Sequence, residues 1–269
     1  MTPHAPGVYD DVPEDEYHAD PSLSSSGARL LLDCPAKYRH TADHGERHSA
    51  AFDFGKAAHA LVLGVGAPVR VVDADDWRTK AAREERDAAR ADFETPMLRK
   101  DWERVCAMAE ALLRHPTASA WVEHGRPEVS LFWSDPRHDV PCRARIDYLR
   151  DTSRVVLVDI KTTTNASPSA FARAVASYGY HVQAAWYQTG ARHLLDLDER
   201  PPFVFLVQEK EPPYLVGVYE LDDDALTAGR HLASRAVAIW RECVDRGEWP
   251  AYPAQVLTLP RWATTTPED

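Results

Sequence analysis

Residues 140–161, VPCRARIDYLRDTSRVVLVDIK, read as a β-hairpin whose strands, CRARIDYL and RVVLVDIK, are joined across DTS. Residues 155–158 form a continuous apolar run, as expected of a strand buried on both faces. The run turns polar at Asp159 and Lys161, where a central strand leaves the core at a functional edge. Side chains two apart on a strand share a face, so Asp159 and Lys161 point together while Ile160 is directed to the core. If the register sets Asp147 beside Asp159, the two carboxylates can jointly hold a hard divalent cation. Oxygen ligands favour Mg2+ or Mn2+ over Zn2+, which prefers His and Cys. Beside such a cation Lys161 can orient a water or stabilise a transition state on a phosphodiester. Glu128, on the preceding strand PEVSLFW, could bind the cation directly or through water.

Downstream, residues 168–195 read as one or two helices, the second being YHVQAAWYQTGARHLL. Gln183 and Tyr187 lie four apart and so occupy one helical face, where they can hydrogen-bond a scissile phosphate or a base edge. Ordinary packing of an amphipathic helix produces the same spacing. FVFLVQEKE and YLVGVYEL form a strand pair around Pro212 and Pro213, residues 222–246 a long helix, and the rest a Pro-rich tail.

Upstream, residues 51–64, AFDFGKAAHALVLG, read as a helix containing His59. Alone, His59 reads as a hydrogen-bonded core histidine; a metal site elsewhere in the chain turns it into a ligand. Ser24 caps a helix that Pro35 stops, and Ser24 and Lys37 are also candidates for DNA contact. Around it, Arg29, Lys37, Arg39, Arg47 and Lys56, with His40, His44 and His48, make the densest positive cluster before the hairpin. Such a cluster is either a solvated helix face or a phosphate contact. Arg143 and Arg145, flanking Ala144 on one strand face, are candidates for DNA phosphate contacts. Residues 75–93 read as an exposed, charged helix. Thr95 and Pro96 supply an N-cap and first-turn proline for another helix ending near His115, with Trp102, Val105, Ala109 and Leu112 buried. Residues 1–22 hold six acids and no Lys or Arg, so this extended arm should pack on the body or a neighbour and avoid DNA.

The chain has 269 residues, 44% of them hydrophobic, and no apolar run long enough to span a membrane. The expected organisation is an acidic arm (1–22), one α/β domain (23–260) and a tail (261–269). No signal-peptide pattern opens the sequence, so a cytoplasmic location is expected. The four cysteines show no CxxC pairing and read as reduced. A net charge of −11 argues against nonspecific adhesion to DNA but leaves room for one basic groove.

The order His59, Glu128, Asp147, Asp159-Ile160-Lys161 and Gln183-x-x-x-Tyr187 resembles the PD-(D/E)XK nuclease superfamily, specifically its RecB-like branch. LSSSGARLLLDCPAKYRH, FDFGKAAHALVLG, RARIDYL and the segment from VVLVDIK to QAAWY are similar to the nuclease domain of exodeoxyribonuclease VIII (RecE type) of phages and prophages. The resemblance implies a restriction-endonuclease-like core: a central mixed β-sheet flanked by helices, with N-terminal helical additions. It implies that His59, Asp147, Asp159 and the Ile160 carbonyl bind Mg2+ or Mn2+, that Lys161 serves catalysis, and that Gln183 and Tyr187 position DNA. It further implies 5′ to 3′ digestion of linear duplex DNA ends to leave 3′ overhangs for a single-strand annealing protein, by a ring-shaped homo-oligomer. An endonuclease of restriction or repair type on the same core, and a noncatalytic DNA-binding relative, remain alternatives.

Overall fold

The apolar run 155–158 lies in the middle of the sheet. In the computed structural model, which describes residues 2–45 and 50–259, β6 (Val155–Thr163) is flanked by β5 (Val140–Asp151) and β7 (Phe203–Glu209). It pairs antiparallel with β5 and parallel with β7. The six-stranded mixed sheet has the order β1-β4-β5-β6-β7-β8, completed by β1 (Gly7–Tyr9), β4 (Arg126–Asp135) and β8 (Val216–Tyr219). This is the expected α/β class.

Helices cover both faces because the inner strands are apolar on both. Leu157, Phe203, Phe205 and Val207 pack with α2 (Ser25–Asp33), α8 (Pro168–Tyr178), α9 (Tyr180–Leu194) and α10 (Asp223–Arg246). The alternate residues Val156, Val158, Ile160, Val204 and Leu206 pack against Leu63 of α4 (Ala50–Leu63) and Leu112 of α6 (Arg99–Arg114). Ile160 therefore points into the core, as period-two alternation requires. The remaining helices are α1 (Glu14–Ala19), α3 (Pro35–His44), α5 (Lys80–Ala91) and α7 (Ala118–Trp121). Among the described residues no helix is long and apolar enough to cross a membrane.

Two expectations are corrected. Residues 95–98 do not start a helix: β3 (Thr95–Leu98) pairs in parallel with β2 (Val69–Val72), and α6 begins only at Arg99. All four β3 residues are buried, so packing overrides the N-cap reading of Thr95 and Pro96. Proline is tolerated on such an edge, where no ladder donor is needed. The predicted buried face of α6 holds for Val105, Ala109 and Leu112, joined by Met108.

The arm is the second correction. It packs on the body, as expected, but is not extended throughout: β1 extends the sheet beyond β4 (Gly7↔Phe132, Tyr9↔Ser130), and the helix α1 sets Tyr17 against Arg143 and Arg145 of β5. His4 stacks on Phe132 at 4.3 Å and bonds Asp20 at 2.7 Å. Tyr17, 7% exposed, lies under two guanidinia, 5.0 Å from that of Arg143 and 4.2 Å from that of Arg145. Arg47 and His48, and the predicted tail 261–269, fall outside the described residues.

Because Tyr17 combines full burial with two cation–π contacts, Tyr17→Ala is expected to cost about 3 kcal/mol of stability, as truncation of a core aromatic does. Urea denaturation measures this; a loss below about 1 kcal/mol would mean that the arm is only loosely attached.

Candidate metal centre and active site

Sheet register gathers the acids. Pro127↔Tyr148 and Val129↔Ile146 place Glu128 across from Asp147, and Tyr148↔Val158 makes Asp159 the next step along on the other side. The β5–β6 ladder ends there, because the Ile160 N–H donates to Asp147 Oδ2 (2.7 Å) and not to a backbone carbonyl. Glu128 interrupts its own ladder with φ +51°, a left-handed conformation that is costly for a side chain of this size. Three carboxylates thus occupy one row across three neighbouring strands.

His59 closes the row from α4. Its Nε2 donates to the Ile160 carbonyl (2.8 Å), and its Nδ1 faces Asp147 Oδ2 at 3.6 Å. A histidine that ligates through one nitrogen and is oriented through the other by a carbonyl is the usual arrangement at metal sites. Donor atoms of His59, Glu128 and Asp147 all lie within 4.8 Å of one another. Burial, then repulsion from Asp147, pushes the Glu128 carboxyl up to about 7, against the pull of His59 and Arg145. A centre where like charges are desolvated together is one a cation would relieve.

Asp159 stands outside that tightest group and is nearly inaccessible. Gln183 Nε2 donates to its Oδ1 (2.6 Å), and the Lys161 ammonium lies 2.5 Å from Oδ2 as an ion pair off the hydrogen-bond direction. Oδ2 is therefore buried without a directed hydrogen bond, so a lone pair remains for a cation. Burial lifts the Asp159 carboxyl to about 6, with Lys161 opposing and Asp147 reinforcing the rise. For Lys161 burial acts downward, but Asp159 and Asp147 outweigh it and hold the ammonium above its ordinary value. These observations fit a resident divalent cation, held by His59, Glu128 and Asp147 with Asp159 adjoining. The Ile160 carbonyl orients His59 and keeps one further lone pair.

Comparison with known proteins now bears on this geometry. Residues 24–258 match the family described as a PDDEXK-like domain of unknown function (DUF3799). The chain belongs to this family. The structure of this PDDEXK-like domain is similar to the crystal structure, at 2.19 Å, of a Eubacterium rectale protein provisionally named an exonuclease. The TM-score is 0.65 and the identity 14%, over 93% of this chain and 94% of the other, a likeness of fold. A structure of SSO0001 aligns over 70% of this chain and 85% of its own at 13% identity, with a TM-score of 0.30 that carries no argument. No curated protein matches the chain.

Within this PDDEXK-like domain the residues expected to touch DNA are placed differently from the expectation. Gln183 and Tyr187 are buried: Gln183 holds Asp159, and Tyr187 packs edge-on against Phe203 at 5.9 Å. Arg143 donates to the Asp20 carbonyl, and Arg145 to Ser130 Oγ (3.0 Å) and the Val12 carbonyl (2.7 Å), so the arm occupies both guanidinia. They are not presented to phosphate, because a buried guanidinium takes the nearest acceptors its own chain offers. Ser24 accepts from the Gly27 N–H (3.1 Å) as the cap of α2. Lys37 pairs with Asp33 (2.7 Å) beside the Tyr252 ring, the solvated-face alternative for that part of the cluster. Sequence reasoning missed Tyr180, whose ring lies 5.0 Å from Lys161 Nζ. Its signal is its position three residues before Gln183, on the same helical face.

The raised carboxyls set a pH dependence. Glu128 and Asp159 titrate near 7 and 6 in the folded protein and near 4.5 and 3.8 otherwise, so between about pH 4 and pH 7 the folded state binds more protons. These groups therefore remove stability as pH rises through that window. Divalent cation should counter this, so Mn2+ is expected to raise Tm more at about pH 7.5 than at about pH 5, relative to EDTA. Thermal melts measure it, and equal gains at both pH values would contradict the assigned ligand set.

Proposed function

We propose that this PDDEXK-like domain is a Mg2+- or Mn2+-dependent exodeoxyribonuclease acting on the ends of linear double-stranded DNA. The convergence of His59, Glu128 and Asp147 beside the Asp159–Lys161 pair carries the reading. Hard-cation ligands and a buried ammonium in one place suit the hydrolysis of a phosphodiester more than any reaction requiring a nucleophilic side chain.

A bound cation would neutralise phosphate charge and lower the pKa of a coordinated water. The chain's own groups do the rest. Asp147 is fixed by the Ile160 N–H and His59 by the Ile160 carbonyl, so both ligands are held by one peptide segment. Lys161 is held by Asp159 and aligned against Tyr180, leaving ammonium protons to donate to a non-bridging phosphate oxygen as charge builds there. Gln183 keeps Asp159 from turning away.

The finer assignment follows the resemblance to the RecE type: 5′ to 3′ polarity, 3′ overhangs for homologous recombination by a single-strand annealing partner, and a ring of copies around DNA. The provisional name of the E. rectale protein agrees with an end-directed activity. An endonuclease on the same core is separated by substrate.

Digestion of linear duplex labelled at either the 5′ or the 3′ end, with Mg2+ or EDTA and beside a closed circle, tests this. The expected result is metal-dependent release of the 5′ label, with the circle intact. Cleavage of the circle would overturn the exonuclease reading, and loss of the 3′ label first would reverse the polarity. Lys161→Ala should lower cleavage by at least about 100-fold while retaining Mn2+ binding by calorimetry.

A further inference from the structure

The turn between α8 and α9 consists of Gly179 alone, with φ +67° and ψ 35°. A Cβ there would lie 2.9 Å from Arg29 Cδ, so both the left-handed backbone and the close approach call for glycine. The turn brings the residues on either side together: the Tyr178 and Tyr180 rings are 5.6 Å apart at 36°. Inward, Tyr180 meets Phe171 at 6.0 Å and Phe205 at 6.1 Å, and Phe205 is the β7 residue registered with Asp159. On the same ring sits the Lys161 ammonium, at 5.0 Å.

Outward, the row ends in solvent. Tyr178 is 63% exposed. Its carbonyl is fixed by Arg29 Nη1 at 2.6 Å, while Arg29 Nε bonds the Ser25 carbonyl at 3.3 Å. Arg29 makes no ion pair among the described residues, whereas Arg39, Arg70, Arg99 and Arg126 each make at least one. An isolated exposed tyrosine needs no explanation. This one is the outer end of an aromatic row anchored in the core, one ring removed from Lys161 and beside an unneutralised guanidinium. An exposed π-face with a guanidinium on its own backbone carbonyl and an ammonium on the next ring matches a nucleotide: the base on the ring, the phosphates toward the cations.

We propose that Tyr178 is a stacking platform for the nucleobase adjoining the scissile phosphate, with Arg29 beside the same strand's backbone. The proposal rests on the nuclease reading above and identifies the element of DNA held at its mouth. Because stacking on a tyrosine takes a base of any kind, the platform confers no sequence preference, as an enzyme that digests a strand stepwise requires.

The test uses the full chain and a linear duplex carrying 2-aminopurine at its terminal nucleotides, bound in Ca2+ so that turnover is arrested. Wild type and Tyr178→Phe are expected to quench the probe, and Tyr178→Ala to leave it bright. In Mg2+, Tyr178→Ala should raise KM about tenfold and Tyr178→Phe should restore it. A Tyr178→Ala protein that quenches and digests like wild type overturns the stacking site and leaves the nuclease reading intact. Wild type that quenches the probe yet cleaves nothing with Mg2+ or Mn2+ overturns the nuclease reading and keeps the platform. Light scattering provides the remaining arm: an altered mass for Tyr178→Ala marks the ring as a contact between copies and overturns the proposal.

Discussion

Three carboxylates on three adjacent strands are the constraint to which the surrounding structure answers. Glu128, Asp147 and Asp159 repel one another in a desolvated place, and such a row survives only if each acid is compensated. The compensation comes from every side: a backbone N–H of β6 for Asp147, a glutamine of α9 for Asp159, a lysine of β6, and a histidine of α4. Elements far apart in sequence are therefore tied to one point. The link from His59 to the Ile160 carbonyl spans 101 residues, so α4 is held against the sheet by the site as well as by its apolar face.

The same logic explains the arginines of β5. Arg143 and Arg145 alternate with the core residues Ala144 and Ile146 on the strand that carries Asp147. Left unpaired under a helix they would be costly, and the arm satisfies them with carbonyls and the face of Tyr17. Arm acids serve other cations: Asp10 pairs with Arg126, and Glu14, held down to about 2 by His18 against its burial, also pairs with Lys56 on α4. An arm without a single Lys or Arg thus belongs to the domain because the body beneath it is cationic. Arg29, by contrast, bonds only the Ser25 and Tyr178 carbonyls among the described residues.

Much of this was legible because strand periodicity is a strong signal in a short window. The hairpin, its buried second strand and the polar break at Asp159 follow from residues 140–161 alone, and the register then places Asp147 where the chemistry needs it. The order of the motif residues made the PD-(D/E)XK superfamily legible as well. Residues 95–98 were not, since Thr-Pro before a helical pattern describes an N-cap equally well, and only burial against β2 decides between the two. Gln183 and Tyr187 were found but given the wrong neighbour: spacing shows that they share a face, not whether that face turns to solvent or to Asp159. The left-handed backbone of Glu128 has no sequence signal, because nothing in PEVSLFW distinguishes a regular ladder from an interrupted one.

The identity of residue 161 follows from what surrounds it. Asp159 offers its Oδ1 to Gln183 and has only Oδ2 left for a cation. An arginine there would seek both oxygens with its planar fork, displace Gln183 and spend its donors on the carboxylate. A lysine presents a compact charge that one oxygen can hold, and its flexible stem lets the ammonium rest against Tyr180 while protons stay available. Since Tyr180 is joined to α8 only through Gly179, the position of the ammonium depends on a turn that a single residue makes. Precision at the reacting phosphate is therefore set from the helical layer inward, by a glycine and a tyrosine, as much as by the strand that carries Lys161.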